Sequence, residues 1–266
     1  MLPGRGEAFI AMVAGISLVA VMLGVAALVI AMSVMNGFRA ELLDKIVGLN
    51  GHAVIQAYGG RLDDWQDILK RVEATPGVTR ASPLIEQPLL ATFNGRVEAI
   101  LVRGNTAPDL KRLETKRVAG NFGLLRAGST NVAIGSRLAE NLGVQLGDTI
   151  TIINPQGRST PFGTVPRQIG YRVAAIFEIG VYDYDQAYVV MPIADAQTLL
   201  LTGDTIGMIE VTTTDADTAA QTLAPIKQAL VGRAQVTDWK TINASLFEAL
   251  AVERVAMFVV LSIIVL

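Results

Sequence analysis

The chain lacks cysteine altogether and contains a single histidine, His52. Without cysteine it can form neither a disulfide framework nor a thiolate metal site. One imidazole rarely makes a zinc site, and no nucleophile stands out as its partner in a catalytic triad. We therefore expect His52, at the predicted start of a strand, to have a structural role.

Motifs for nucleotide binding and acyl transfer are also missing. The dipeptide Gly-Lys does not occur, so the chain has no P-loop, and it has no G-x-S-x-G nucleophile motif. The 22 basic and 24 acidic residues nearly balance, and a net charge of −2 argues against nucleic acid as a partner. Asp183 and Asp185 could pair in catalysis or bind calcium, but two acids at this spacing are too common to assign. We predict no catalytic residue, no metal site and no cofactor.

Charge is absent from two apolar runs at the ends of the chain. The first, Ala8 to Phe38, exceeds the roughly 20 residues that cross a membrane. Arg5 and a small-residue cleavage site would allow a secretory signal peptide, but the run is much longer than the usual h-region of about 7–15 residues. The second run, Val255 to Leu266, is too short to cross. It is either a re-entrant end or a membrane helix cut short, and we expect the latter.

The helical pattern continues beyond the first apolar run. Apolar residues recur every three or four positions until the Asn50-Gly51 pair, which is typical of a helix end: Met35, Phe38, Leu42, Ile46 and Leu49. This pattern predicts an amphipathic stalk. Its apolar stripe could pack on the soluble domain or line a cavity open to the bilayer.

Strands and helices alternate between the two apolar ends. The pattern over 52–103 is β-α-β-β, with Asn94-Gly95 as a strong hairpin signal. The pattern over 204–238 is β-α-β, with one helix from Asp215 to about Leu230. Together they predict a split βαβ domain of ferredoxin-like type, interrupted by a mainly β insert. The predicted fold class is thus an α+β domain between two transmembrane helices.

The predicted organisation assigns every part of the chain. Its segments are a first membrane helix (1–38), a stalk (39–51), a split βαβ porter-like domain (52–103 and 204–238), an inserted subdomain (104–203) with a protruding loop (155–170), a second stalk (239–254) and a truncated second membrane helix (255–266).

The stretch from Pro155 to Gly170, PQGRSTPFGTVPRQIG, separates two predicted strands. It contains three prolines, three glycines and one bulky aromatic, Phe162. We expect its backbone to make no ladder bonds, and loops longer than about 12–15 residues are usually functional or disordered. The stretch is either a flexible hairpin tip or a protruding arm that binds a partner protein.

Two long motifs carry a family resemblance. AMSVMNGFRAELLDKIVGLNGH (Ala31 to His52) resembles the segment that leaves the first membrane helix of the lipoprotein-releasing permeases LolC and LolE. DWKTINASLFEALAVER (Asp238 to Arg254) is similar to the stretch that leads those proteins into their second membrane helix. The resemblance runs in order along the whole chain. It implies a MacB-like permease fragment, whose α+β domain, from Arg39 to about Arg254, lies in the periplasm.

The resemblance also implies a function and partners. Members of this family are not enzymes themselves: they extract lipoproteins from the bacterial inner membrane and pass them to the chaperone LolA. A separate LolD-like ATPase uses ATP and magnesium, and the second permease is LolE-like or another copy of the same chain. Alternatives from other classes are an FtsX-like or sensor-type regulatory ectodomain and a MacB-like efflux permease.

Two sets of site residues follow from the resemblance. Residues at the tip of the LolC-type hook would bind the chaperone: Thr160, Pro161, Phe162, Gly163, Thr164 and Val165. Arg158 and Arg167 would lie at the rim of this hook. Residues on the first and second helices, at and beside the stalks, would contact the acyl chains of the lipoprotein: Met32, Met35, Phe38, Leu42, Leu246, Leu250 and Met257.

Overall fold

The structure, a computed structural model, describes residues 5–49, 51–160 and 163–265. The chain forms two units: residues 51–238 make up one, and residues 1–50 with 239–266 make up the other. The division of 51–238 into a porter-like domain and an inserted subdomain stays a prediction.

The helices of the described residues are α1 (Arg5–Leu49), α2 (Trp65–Glu73), α3 (Ala107–Leu113), α4 (Ser136–Leu142), α5 (Tyr182–Ala187), α6 (Ile193–Leu200), α7 (Ala219–Thr222), α8 (Ala224–Ala229), α9 (Trp239–Ile242) and α10 (Ala244–Val265). The strands are β1 (Ala53–Ala57), β2 (Val78–Phe93), β3 (Arg96–Asn105), β4 (Arg117–Gly120), β5 (Asn131–Gly135), β6 (Thr149–Thr160), β7 (Gly163–Phe177), β8 (Tyr188–Pro192), β9 (Met208–Thr213) and β10 (Ala234–Asp238).

Helix α1 is a single uninterrupted helix. Its segment Phe9–Met35 has a mean hydropathy of 2.7, and it is the only span in the described residues that is long and apolar enough to cross a membrane. The helix ends at Leu49, next to the predicted stop. Helix α10 carries the second apolar run in its C-terminal half. The expected second membrane helix, beginning at Val255, stays a prediction.

One part of the sheet has the predicted split βαβ order. Its four strands lie in the order β10-β1-β9-β2, and every neighbouring pair is antiparallel. Helix α2 connects β1 to β2, and α7 and α8 connect β9 to β10. This is the connectivity of a ferredoxin-like fold, in which each helix crosses over a strand that lies between the two it joins.

The helix predicted from Asp215 to about Leu230 is wrong in one respect. The structure has two short helices there, α7 and α8, with Leu223 between them. Pro225 lies in the first turn of α8. Because proline has no N–H and disfavours helical backbone in the residue before it, the helix is interrupted at this point.

The strands of the insert extend the same sheet. The long strand β2 pairs with β9 over Val78–Leu84 and with β3 over Ile85–Phe93. Beyond β3 the order continues as β8-β5-β7-β4, and β6 pairs with both β2 and β7. The domain is therefore mixed α+β, as predicted. The sequence analysis missed α3, β4 and α5.

A cluster of buried charges lies where β2 changes partners. Arg103, which is 6% exposed, has its Nε 3.2 Å from Oε2 of Glu86 and donates from Nη2 to Glu210 at 3.4 Å. Arg80 donates to the other oxygen of Glu210 at 3.3 Å and to Asp109 at 2.8 Å. These ion pairs connect β2, β3, β9 and α3. A buried charge that loses its partner destabilises a protein strongly, so the cluster holds these elements together.

We predict that replacing Arg103 by Leu lowers the free energy of unfolding by about 3 kcal/mol, since the half-buried Glu86 loses its cation and the buried Glu210 keeps only its contact with Arg80. The matched control is Arg137→Leu. Arg137 pairs with Glu140 on an exposed face, so its loss should cost less than about 1 kcal/mol. Urea unfolding of both variants measures the difference. Equal, small losses would contradict a stabilising role for the cluster.

Candidate functional site

A two-stranded ribbon forms where β6 separates from its neighbour β2 and pairs with β7 alone. Strand β6 pairs with β2 over Thr151–Ile153, in register with Thr92–Leu90. After Ile153, the described part of β6 pairs with β7 alone, as far as Thr160↔Gly163. We call residues 155–168 the projecting ribbon.

The expectation that the stretch from Pro155 to Gly170 makes no ladder bonds is wrong. Three pairs, beginning with Arg158↔Val165, continue the antiparallel register to the tip. The ladder tolerates these two prolines because both lie at its irregular step: Pro155 follows Asn154 on β6, and Pro166 lies between Val165 and Arg167 on β7. Their missing N–H groups therefore remove no bond from a regular ladder.

Pro161 and Phe162, which the sequence predicts at the tip of the hook, lie outside the described residues. The structure places the backbone of Thr160, Gly163, Thr164 and Val165 at the end of the ribbon. Gly163 has a φ of +119°, a conformation that L side chains rarely adopt, and Val165 is 57% exposed. The side chains of Thr160 and Thr164 also lie outside the description. The hook role of all six residues stays a prediction.

Two arginines were expected at the rim of the hook. Arg167 is half-buried instead, and its Nε is buried without a hydrogen-bond partner. Burial, and after it the charge of Asp195, raise the pKa of Tyr171 to about 12, while the charge of Arg167 opposes them. Arg167 thus lies at the root of the ribbon, within electrostatic reach of Tyr171. The side chain of Arg158 is not among those described.

A polar cavity of about 200 Å³ lies beside the root of the ribbon. It is bounded by the end of β1, the middle of β2, the start of the ribbon and the α6–β9 connection. Four residues with amide side chains are among those that line it: Gln56, Gln87, Asn154 and Gln156. Glu86 also lines it, and burial raises the pKa of this carboxyl while the charge of Arg103 opposes the shift. The sequence analysis missed the cavity because its walls come from four distant segments.

The seven predicted acyl-contact residues lie on two helices that touch each other. Met32, Met35, Phe38 and Leu42 belong to α1, the other three belong to α10, and the two helices are in contact. Met32 is 39% exposed, and Met35 and Met257 are half-buried. The side chains of Phe38, Leu42, Leu246 and Leu250 are not described, so a common apolar slot stays a prediction.

The remaining candidate residues have structural contacts. Nδ1 of His52 accepts a hydrogen bond from the backbone N–H of Thr213 at 3.1 Å, and burial lowers the pKa of this histidine. Asp185 is buried and accepts from the backbone N–H groups of Ile179 and Gly180 at 2.7 and 2.9 Å, whereas Asp183 is exposed. Among the described residues no cluster of histidine and carboxylate groups could hold a metal ion.

Comparison with known proteins identifies relatives along nearly the whole chain. The family model described as MacB-like periplasmic core domain matches residues 14–229. The LolC lipoprotein-releasing system transmembrane protein of Neisseria meningitidis is 30% identical over 98% of this chain and 64% of its own length. The corresponding LolE protein of Haemophilus influenzae is 29% identical over 72% of this chain and 47% of its own length. The chain thus spans less than two thirds of these relatives.

Two solved structures are also similar. One is the extracellular domain of the noncanonic ABC-type transporter YknZ from Gram-positive bacteria, with a TM-score of 0.47, 14% identity, and coverage of 70% of this chain and 100% of that one. The other is the periplasmic region of MacB from Actinobacillus actinomycetemcomitans, with a TM-score of 0.47, 12% identity, and coverage of 75% and 95%. Because the family model covers most of the sequence, the chain belongs to the MacB-like periplasmic core domain family, and it is a homologue of the lipoprotein-releasing transmembrane proteins LolC and LolE.

Proposed function

We propose that the chain is a permease subunit of an ABC complex that extracts lipoproteins from the inner membrane and passes them to the periplasmic chaperone LolA. The observation that carries this proposal is the 30% identity to a LolC protein over 98% of the chain. The membrane-capable helix α1 and the folded unit 51–238 supply the anchor and the domain that such a subunit needs.

The energy for transport comes from another subunit in this proposal. The sequence contains no P-loop, so ATP and magnesium are used by a LolD-like ATPase. The second permease is a LolE-like protein or another copy of this chain. Helix α1 crosses the inner membrane, and the domain between the stalks lies in the periplasm, where it meets both the lipoprotein and the chaperone.

The projecting ribbon is the chaperone-binding hook. It lies at the end of two strands that are anchored in the sheet at their other end. Its paired backbone and three prolines limit the conformational entropy that binding must remove. Phe162 supplies an aromatic anchor of the kind that dominates interface energies. These features support a small, preorganised contact.

We predict that Phe162→Ala weakens LolA binding at least about 30-fold, which corresponds to the loss of about 2 kcal/mol from a central aromatic anchor. Isothermal calorimetry with the full chain in nanodiscs measures the affinity. The melting temperature should remain nearly unchanged. The matched control is Tyr58→Ala, because Tyr58 is an aromatic residue of the same domain that is 68% exposed and distant from the ribbon in sequence.

Deletion of the tip, from Thr160 to Thr164, should abolish binding. If the deletion variant retains the affinity of the unmodified chain, the ribbon is not the hook. The ribbon would then be a hairpin tip without a role in chaperone binding, and the assignment of a LolC-type hook would fail.

The contact between α1 and α10 is the site for the lipoprotein's acyl chains. Methionine side chains fit chains of varied shape because the thioether is flexible and polarizable, and Met35 and Met257 are both partly exposed. Each buried methylene of an acyl chain stabilises the complex by about 0.8 kcal/mol. An apolar slot can therefore hold the lipid without hydrogen bonds.

We predict that photocrosslinkers at Met35 and Leu250 label the lipoprotein in the assembled complex, whereas crosslinkers at Glu41 and Lys45 do not. Glu41 is the stricter control because it lies off the apolar stripe, whereas Lys45 follows Phe38 by seven residues and borders the stripe. Gel analysis of the crosslinked adducts reads out the result. Labelling only from Glu41 and Lys45 would show that the lipid-facing surface is elsewhere.

A further inference from the structure

The projecting ribbon begins at a bulge. Its register is irregular between Asn154 and Arg158: four steps along β6 correspond to two steps along β7, from Arg167 to Val165. Such bulges bend a strand and increase its twist. The irregularity follows Ile153, the last residue of β6 that pairs with β2. The direction of the ribbon is therefore set where it loses its third strand.

Asn154 stabilises the first turn of this bulge. Its side chain is 4% exposed, and its Oδ1 accepts a hydrogen bond from the backbone N–H of Gln156 at 3.0 Å. An asparagine that binds the backbone two residues on forms a turn of defined shape. Because the side chain is buried, the turn is tied to the body of the domain.

Gly157 allows the two strands to close after the turn. A Cβ atom at this position would lie 2.1 Å from the carbonyl oxygen of Val165, 2.6 Å from the backbone nitrogen of Arg167 and 2.9 Å from the carbonyl carbon of Pro166. All three atoms are backbone atoms, so rotation of a side chain cannot relieve the clash. Any residue other than glycine must push β6 and β7 apart.

We propose that Asn154 and Gly157 are positioning residues that aim the hook at the chaperone. This inference rests on the proposed function, since it presumes that the ribbon tip binds LolA. Neither residue needs to contact the chaperone. They determine where the tip lies relative to the sheet, and a rigid hook binds only if its tip and the surface beside it meet the partner together.

The position of the ribbon relative to the sheet can be measured with spin labels, because the chain has no cysteine of its own. Nitroxide labels can be attached at Val97→Cys on β3 and at Val165→Cys on the ribbon, and the distance between them measured. Both native valines are 57% exposed, and the chain has no native thiol that would react with the label. Double electron–electron resonance on the full chain in nanodiscs should show a shifted or broadened distance distribution when Gly157→Ala is added. Asn154→Ala should do the same, and Asn154→Ser should partly restore the native distribution because a hydroxyl forms the same turn more weakly.

Chaperone binding by the unlabelled variants completes the test. Gly157→Ala should weaken LolA binding at least tenfold at an unchanged melting temperature. Gly59→Ala is the matched control, because a Cβ there meets nothing within 4 Å, and it should change neither distance nor affinity. An unchanged distance in Gly157→Ala, or a changed distance with native affinity, would overturn the positioning role. Native affinity in Phe162→Ala as well would overturn the hook assignment, whereas the absence of LolA binding by the unmodified chain would overturn the proposed function itself.

Discussion

The continuous pairing of β2 is the constraint on which the rest of the domain depends. Its first half pairs with β9 and its second half with β3, so one strand belongs to both the split βαβ part and the extended sheet. Near its C-terminal end, Leu90–Thr92 also pair with β6, and the projecting ribbon begins after Ile153 of β6, where this pairing stops. A shift of β2 by one residue would turn every side chain to the opposite face, and it would move the root of the ribbon as well.

The buried charge cluster also depends on the register of β2. Arg103 and Glu210 lie at the place where β2 changes partners, and they are 6% and 7% exposed. A shared network of buried charges is sensitive to position, because each charge is stabilised only while its partner stays within reach. The cluster therefore favours one register for β2, β3 and β9. That register also determines where the ribbon begins, because β6 pairs with both β2 and β7 over Thr151–Ile153, just before the ribbon.

The sequence predicted the elements with strong local signals. The hairpin at Asn94-Gly95 is present, and both residues have the positive φ values, 47° and 81°, that a two-residue turn of this type requires. The split βαβ order also followed from local patterns. The charge cluster, the cavity and the bulge did not, because they depend on pairing between distant segments. The ribbon was predicted as an unpaired loop because its prolines suggested broken pairing, whereas two of them lie at the irregular step of the ladder.

The central claim is that a membrane-anchored MacB-like domain meets its chaperone through the projecting ribbon. Amide hydrogen exchange of the full chain in nanodiscs, with and without LolA, tests this claim most directly. We expect added protection in peptides that cover residues 155–168 and little change in those from β1, β9 and β10, whose amides the sheet already holds. Protection confined to other surfaces, with the ribbon unchanged at saturating LolA, would contradict the account.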